Sequence, residues 1–273
     1  MQPLPDPATS LRALEEALGA HAAAYALDWI GDCDSSNTEL TNRPLPSDDR
    51  LHVLVADRQH AGRGRRGRRW QSWDGGSLTF SLQWRLPAGG TAPAGLSLVV
   101  GLAVARALED CGVTGVQLKW PNDVLVHGRK LAGILIELVA VQGRPAAAVI
   151  GIGLNLHLPD DAHIPDQPAV TDLFIELGGR APDRVAVLGA ILGQLRALLD
   201  TYAMAGFGAL QGAWEQRNAF ANLPVSISGE SGSIHGTCIG VGDDGALCLR
   251  TAEGVRRIVS GDVSLRPDTG GPT

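Results

Sequence analysis

Gly62-Arg63-Gly64-Arg65-Arg66-Gly67-Arg68-Arg69-Trp70 interleaves five arginines with three glycines and closes on a tryptophan. Arginine offers a planar fork of donors that matches carboxylate and phosphate oxygens bidentately. Glycine lets the backbone approach a ligand closely and turn through positive φ. A loop built from both can hold an anion, such as a carboxylate beside a phosphate. Two other readings stay open on composition alone: an RNA-binding Gly/Arg segment, or a solvated charged loop.

Four further patterns could do chemistry. Lys119-Trp120-Pro121-Asn122-Asp123 carries a strand into a proline bend, where Asn122 and Asp123 either reach a ligand or serve the turn itself. Lys130 opens an apolar segment with Gly133 three residues on, which leaves backbone open to a ligand unless the lysine merely snorkels to the surface. Gly151-Ile152-Gly153-Leu154-Asn155 lacks the third glycine and following helix of a dinucleotide fingerprint, so its paired glycines read as close packing or a bulge. The four cysteines, Cys33, Cys111, Cys238 and Cys248, show no CxxC pair, and neither a zinc site nor a disulfide framework follows from their spacing.

The elements that must position these groups follow from periodicity. Leu51–Ala56 and Ser77–Trp84 read as strands on either side of the arginine loop, which makes it a connection inside a globular domain rather than a tail. A helix is expected from about Pro93 to Asp110, stopped by Cys111-Gly112. Strands follow at 116–119, 131–141 and 146–156, the last two turning at Gly143 and Pro145 into a hairpin. Their near-continuous apolarity implies a sheet covered by helices, which Asp183 to about Ala205 and Phe207 to Phe220 could supply. Upstream, residues 1 to about 10 read as loose and Leu11 to roughly Leu27 as an amphipathic helix. Past Phe220, short strands around 225–228, 233–241, 246–250 and 255–259 with glycine turns suggest a small barrel. Three segments result: 1–27 with its helix, a sheet-and-helix domain over 28–222, and a barrel domain over 223–273 with a loose tail.

The chain has 273 residues, 44% hydrophobic and 19% charged, with net charge −6 and a pI near 5.6. A nucleic-acid binder would carry a basic face well beyond one loop. The N-terminus has neither the basic start nor the apolar core of a secretory signal, and no uninterrupted apolar run reaches bilayer-spanning length. A cytoplasmic protein without membrane or DNA partners is expected.

Together these residues resemble the biotin protein ligase family, over about Asp34 to Arg266. Its Gly-Arg-Gly-Arg-x-Gly-Arg-x-Trp loop stands as Gly62 to Trp70, its Lys-Trp-Pro-Asn-Asp as Lys119 to Asp123, its Lys-Leu-Ala-Gly-Ile-Leu as Lys130 to Leu135, and its Gly-x-Gly-x-Asn as Gly151 to Asn155. The resemblance implies an α/β (α+β) fold: a mixed sheet with helices like class II aminoacyl-tRNA synthetases, then a small SH3-like barrel. It implies that biotin and ATP, with Mg²⁺, give biotinyl-5′-AMP and pyrophosphate, and that a lysine of the biotin carboxyl carrier protein takes the biotinyl group. Ser35, Ser36, Asn37 and Gln59 would read the ureido ring, with Gly62, Gly133 and Leu135 along the ring and valeryl chain. Arg63, Arg65 and Lys130 would hold the carboxylate. Arg66, Arg68, Trp70, Lys119, Asn122, Asn155 and Arg266 would serve ATP or the adenylate, and Asp123 would act as a base or help place Mg²⁺.

The chain departs from the family pattern in two places. Ser35-Ser36-Asn37 stands for Ser-Thr-Asn, and Asn222-Leu223-Pro224 lacks the usual arginine. With no N-terminal helix-turn-helix in view, a ligase without repressor activity is expected. A strand-edge homodimer is a candidate assembly, and the arginine loop is expected to stay mobile until ligand binds, since clustered like charges repel. A lipoate or octanoate transferase of the related fold is the nearest rival enzyme. An RNA-binding or biotin-sensing module and a pseudo-enzyme are the others.

Overall fold

The computed structural model describes residues 4–45, 47–86, 93–141, 144–162, 164, 169–229, 232–259 and 264–267. The turn expected at Gly143 and the loose C-terminal tail lie outside the described residues. Asp6 caps the first helix, α1 (Pro7–Leu18), by accepting from the Thr9 amide at 3.0 Å, and proline follows at the first helical position. The helix therefore begins and ends earlier than the sequence reading had it. Residues 19–24 form a 3₁₀ turn, and the expected helical end is instead strand β1 (Tyr25–Cys33).

The chain continues through α2 (Ser36–Asn42), β2 (Leu51–Gln59), β3 (Ser77–Arg85), α3 (Leu96–Asp110), β4 (Val116–Lys119), β5 (Asp123–Val126), β6 (Arg129–Val141) and β7 (Arg144–Asn155). Seven strands form one mixed sheet in the order β1-β2-β3-β7-β6-β5-β4, with only β1 and β2 parallel. Cys111 ends α3 as expected. Beyond β7 come α4 (Leu173–Glu176), α5 (Arg184–Ala205) and α6 (Gln211–Glu215). The long helix expected over 207–220 is reduced to a 3₁₀ turn and α6. Arg217 and Ala219 instead pair with β4: the Leu118 amide donates to Arg217 O at 2.6 Å and Ala219 N to Leu118 O at 2.9 Å.

The alternation of β3 decides which face is which. Leu78, Phe80 and Leu82 join the main core under α3 and α5, while Ser77, Thr79, Ser81 and Gln83 are buried on the opposite face, toward α2. Burial on both faces holds for β3 and for β7 from Ala147 onward. It fails for β6 beyond Ile136, where Leu138 and Val141 are exposed because β5 pairs only as far as Gly133.

Helix α5 has the length and apolar composition of a membrane-spanning helix, although Gln194 and Arg196 interrupt it. Its apolar side, from Val187 to Leu199, belongs to the core beside α3. Its first residue, Arg184, pairs with Asp57 at 2.7 Å and lies over the Trp29 ring at 4.9 Å, while Trp29 Nε1 donates to Asp57 at 2.9 Å. Burial pushes the Arg184 pKa down, and Asp57 opposes the shift.

A second, antiparallel sheet contains β8 (Pro224–Gly229), β9 (Gly232–Val241), β10 (Leu247–Thr251), β11 (Gly254–Ile258) and β12 (Ser264–Pro267), in the order β11-β10-β9-β8-β12. Among the described residues no β11–β12 pairing closes it. Its link to the first sheet includes Trp120 Nε1, which donates to Gly245 O at 3.1 Å.

Candidate active site

Alternation brings Gly133, Leu135 and Glu137 of β6, Gly151, Gly153 and Asn155 of β7, and Ser81 of β3 to one face of the large sheet. Above that face lies a cleft open to solvent, roofed by the arginine loop.

The loop is a closed hairpin. Arg63 and Arg69 bridge, Gly64 N donates to Arg68 O at 2.7 Å, and Trp70 N donates to Gly62 O at 2.8 Å. Arg66, with φ 60°, and Gly67, with φ 68°, turn it. The closing tryptophan lies on the sheet. Gly133 and Gly153 are direct cross-strand partners, and a Cβ on Gly153 would fall 2.5 Å from Trp70 Cζ2. A Cβ on Gly151 would likewise strike the amide of Asn37, at 2.9 Å from its Cγ. The Gly-x-Gly pattern is thus close packing, as its missing helix implied, but it is packing that admits the site's own side chains.

Most of the expected residues converge here. Ser35, Ser36 and Asn37 are buried at the start of α2, and Gln59 ends β2 beside them. Gln59 Oε1 accepts from Ser36 N at 2.7 Å, Ser36 and Ser81 hydroxyls lie 2.7 Å apart, and Ser81 Oγ donates to Asn37 Oδ1 at 2.6 Å. At the other end, Lys130 pairs with Asp123 at 2.7 Å, and Asn122 Nδ2 donates to Ile134 O at 2.9 Å, which leaves its Oδ1 to accept from Arg65 at 3.2 Å. Lys119 lies under these groups. Burial pushes its pKa down, with Lys130, Arg266 and Arg68 adding to the fall and Asp123 opposing it. Arg66, Arg68, Trp70 and Leu135 also line the cleft.

Three expected residues stand off the lining. Gly62 is buried in the hairpin base, where a Cβ would meet Trp70 O at 2.6 Å. Arg266 is exposed on β12, next to Leu265, which does line the cleft. Asn155 is buried one step beyond Gly153 on the same face. Its Nδ2 donates to Thr171 O at 2.9 Å, while its Oδ1 has no protein donor.

The sequence reading missed others. Glu137 pairs with Arg63 at 2.5 Å, and Phe80, Trp120, Ile134 and Ile152 complete the walls. Ser81 belongs to the polar set of β3 at positions 77, 79, 81 and 83, whose period-two alternation reads in sequence as a solvent face and is buried here.

Among the described residues, no group of three or more His, Cys, Asp or Glu side chains could hold a metal ion. The one carboxylate lining the cleft, Asp123, is already engaged by Lys130. A magnesium ion here would therefore rest mainly on substrate phosphates.

A cleft with one polar wall of hydroxyls and amides, and one cationic end gathering Lys119, Lys130, Arg65 and Arg68 around a single carboxylate, can bring two anions together. Such a site suits chemistry in which repulsion between two anionic groups must be overcome. Comparison with known proteins gives the family. Residues 30–155 match the biotin/lipoate A/B protein ligase family and 222–266 the biotin protein ligase C-terminal domain. A bifunctional ligase/repressor, BirA of Escherichia coli K12, is 36% identical over 236 residues, covering 85% of this chain and 72% of that protein. A biotin–acetyl-CoA-carboxylase ligase of Paracoccus denitrificans is also 36% identical over 236 residues, covering 84% of this chain and 96% of that one. A solved structure of an Aquifex aeolicus biotin protein ligase, in complex with biotin and ATP, superposes with a TM-score of 0.76 at 33% identity, covering 89% of this chain and 99% of that one. The chain belongs to the biotin protein ligase family.

Proposed function

We propose that this protein activates biotin with ATP to biotinyl-5′-AMP, releasing pyrophosphate, and passes the biotinyl group to a lysine of the biotin carboxyl carrier protein of a carboxylase. The observation that carries the reading is the graded polarity of one cleft: a neutral donor–acceptor wall at Ser35, Ser36, Asn37 and Gln59, and a cationic end at Lys119, Lys130 and Arg65. The wall suits the ureido group, which offers two N–H donors and one carbonyl. Leu135 and the glycine floor suit the apolar ring and chain.

In the first step a carboxylate oxygen attacks the α-phosphorus and pyrophosphate leaves, so the barrier is largely charge repulsion and positioning. Lys130 and Arg65 would neutralise the carboxylate and then the adenylate phosphate. Arg63 would close the biotin end of the loop, and Arg66 and Arg68 would steer the triphosphate. Trp70 and the closed hairpin would keep water from the mixed anhydride. The donorless Oδ1 of Asn155 is an acceptor suited to the exocyclic amine of adenine. Mg²⁺ would arrive on ATP, with Asp123 as its single protein carboxylate, and would screen the phosphate charge.

In the second step the acceptor lysine loses a proton and displaces AMP from the acyl carbon. Asp123, which pairs with Lys130 at 2.7 Å, would be the base for that proton when it is not serving the metal. The four thiols are all free, which suits a reducing, cytoplasmic setting where ATP is available. The outer side of β6 beyond Gly133 has no strand partner among the described residues, which supports a strand-edge homodimer. DNA and membranes are no part of the reading.

The test is ATP–pyrophosphate exchange with biotin, lipoate or neither. Exchange with biotin alone is expected. Exchange with lipoate would move the protein to the lipoate branch, and exchange with neither would end the ligase reading.

A further inference from the structure

Glu137 was not among the residues expected to act, yet it joins the two halves of the cleft. Its Oε2 accepts from Arg63 of the loop at 2.5 Å and from Asn37 Nδ2 of α2 at 2.9 Å. Asn37 is therefore turned with its amide nitrogen toward β6, where it also approaches Leu135 O at 3.4 Å, and its oxygen toward Ser81.

That orientation dictates the rest of the wall. A carboxylate only accepts, so the Asn37 nitrogen must donate to it and the Asn37 oxygen must receive. Ser81 has one hydroxyl proton, and it goes to Asn37 Oδ1 at 2.6 Å. The 2.7 Å contact between Ser36 and Ser81 can then be a hydrogen bond only if Ser36 donates. Gln59 Oε1 accepts from the Ser36 amide at 2.7 Å and from the Ser36 hydroxyl at 3.1 Å, which fixes the amide of Gln59 in turn. Donation runs one way from Ser81 through Asn37 to Glu137, and Ser36 divides its hydroxyl proton between Ser81 and Gln59. The charge at the end of the row decides which atoms of the wall offer protons and which receive them.

We propose that Glu137 is the positioning residue that sets the donor–acceptor polarity of the biotin-reading wall and ties Arg63 of the roof to it. The proposal rests on the ligase reading above, which makes this wall the reader of the ureido group. It assigns Glu137 no contact with substrate.

Glu137→Gln tests it, because glutamine keeps the volume but can donate as well as accept, so the row loses its direction and Arg63 its counter-charge. In biotin-dependent pyrophosphate exchange, the expected result is a KM for biotin raised about tenfold, with kcat within about twofold and the thermal midpoint little changed. A second variant reads the charge alone. Glu137→Asp keeps an acceptor-only carboxylate on a shorter side chain, so KM should stay within about threefold of the parent. A merely structural role for Glu137 would make the shorter Asp at least as damaging as the isosteric Gln. The proposal is overturned if Glu137→Gln keeps the parental KM, if kcat falls while KM holds, or if Glu137→Asp is as impaired as Glu137→Gln. Absence of biotin-dependent exchange in the unmodified protein would instead sink the ligase reading itself.

Discussion

Gly153→Ala should unlatch the arginine loop without unfolding the protein. The added Cβ would lie 2.5 Å from Trp70 Cζ2 and 2.7 Å from Cδ2, where carbon atoms settle at about 3.5–4.0 Å. Restoring contact requires the ring to lift by roughly 1 Å. The floor cannot yield instead, since Gly153 pairs with Thr79 on one side and Gly133 on the other. Overpacking of this kind costs about 1–3 kcal/mol. Because the loop can undock locally, that cost should appear as loop opening, raising the open population roughly tenfold to hundredfold at about 1.4 kcal/mol per tenfold. The five loop arginines are trypsin sites, and cleavage tracks the open population when reclosing outpaces it. Cutting within 63–69 should therefore quicken by at least about tenfold, while the thermal midpoint moves only a few degrees. Parental cleavage kinetics in a folded Gly153→Ala protein would show that Trp70 does not hold the loop, and the latch would have to be abandoned.

Lys130→Ala should reduce biotin-dependent pyrophosphate exchange by about 10²–10³-fold, the range for removing one group that stabilises developing charge; a loss under threefold would remove Lys130 from the reacting centre. Lys119→Met should raise stability in thermal unfolding while lowering exchange. Its depressed pKa marks a buried cation that costs stability below its folded pKa, a cost that fades as pH rises toward the ordinary lysine value. The stabilisation should accordingly shrink in alkaline buffer, and a gain that grows with pH would contradict the sign. Asp57→Asn should cost about 3 kcal/mol in denaturant unfolding, because Arg184 and Trp29 would both lose their buried carboxylate. Asp172→Ala should cost about 1–3 kcal/mol, as that buried side chain accepts from both Ile175 N and Leu158 N at 2.8 Å.

Regular elements were legible wherever one period dominated. The alternation of β3, the glycine stop after α3 and, to within a residue, the span of α5 stand where the sequence puts them. The errors fall where local signals competed with tertiary pairing. Pro3, Pro5 and Pro7 read as disorder, yet Asp6-Pro7 is a helix start. Residues 217–219 carry no strand pattern and become extended only because Leu118 pairs with them. The motif residues were legible as a set because each ionic type bears on the same charge problem. Glu137 was not, since an acid in an apolar strand looks like a solvated edge until its partners, 74 and 100 residues away, are known.

A short main-chain segment, Ala169 to Thr171, runs beside Lys130. Lys130 N donates to Ala169 O at 2.9 Å and Thr171 N returns to Lys130 O at 2.9 Å, while Asn155 Nδ2 donates to Thr171 O at the same distance. Main-chain atoms thus span the interval between the cation at the reacting end and the amide beyond the glycine floor. Under the proposed roles of Lys130 and Asn155, the interval would act as a fixed ruler rather than a compliant pocket. Side-chain repacking in the core can loosen or tighten occupancy, but it leaves the spacing between the two graduations unchanged. A molecule whose two recognised ends are the wrong distance apart would be refused by length before its chemistry was ever sampled.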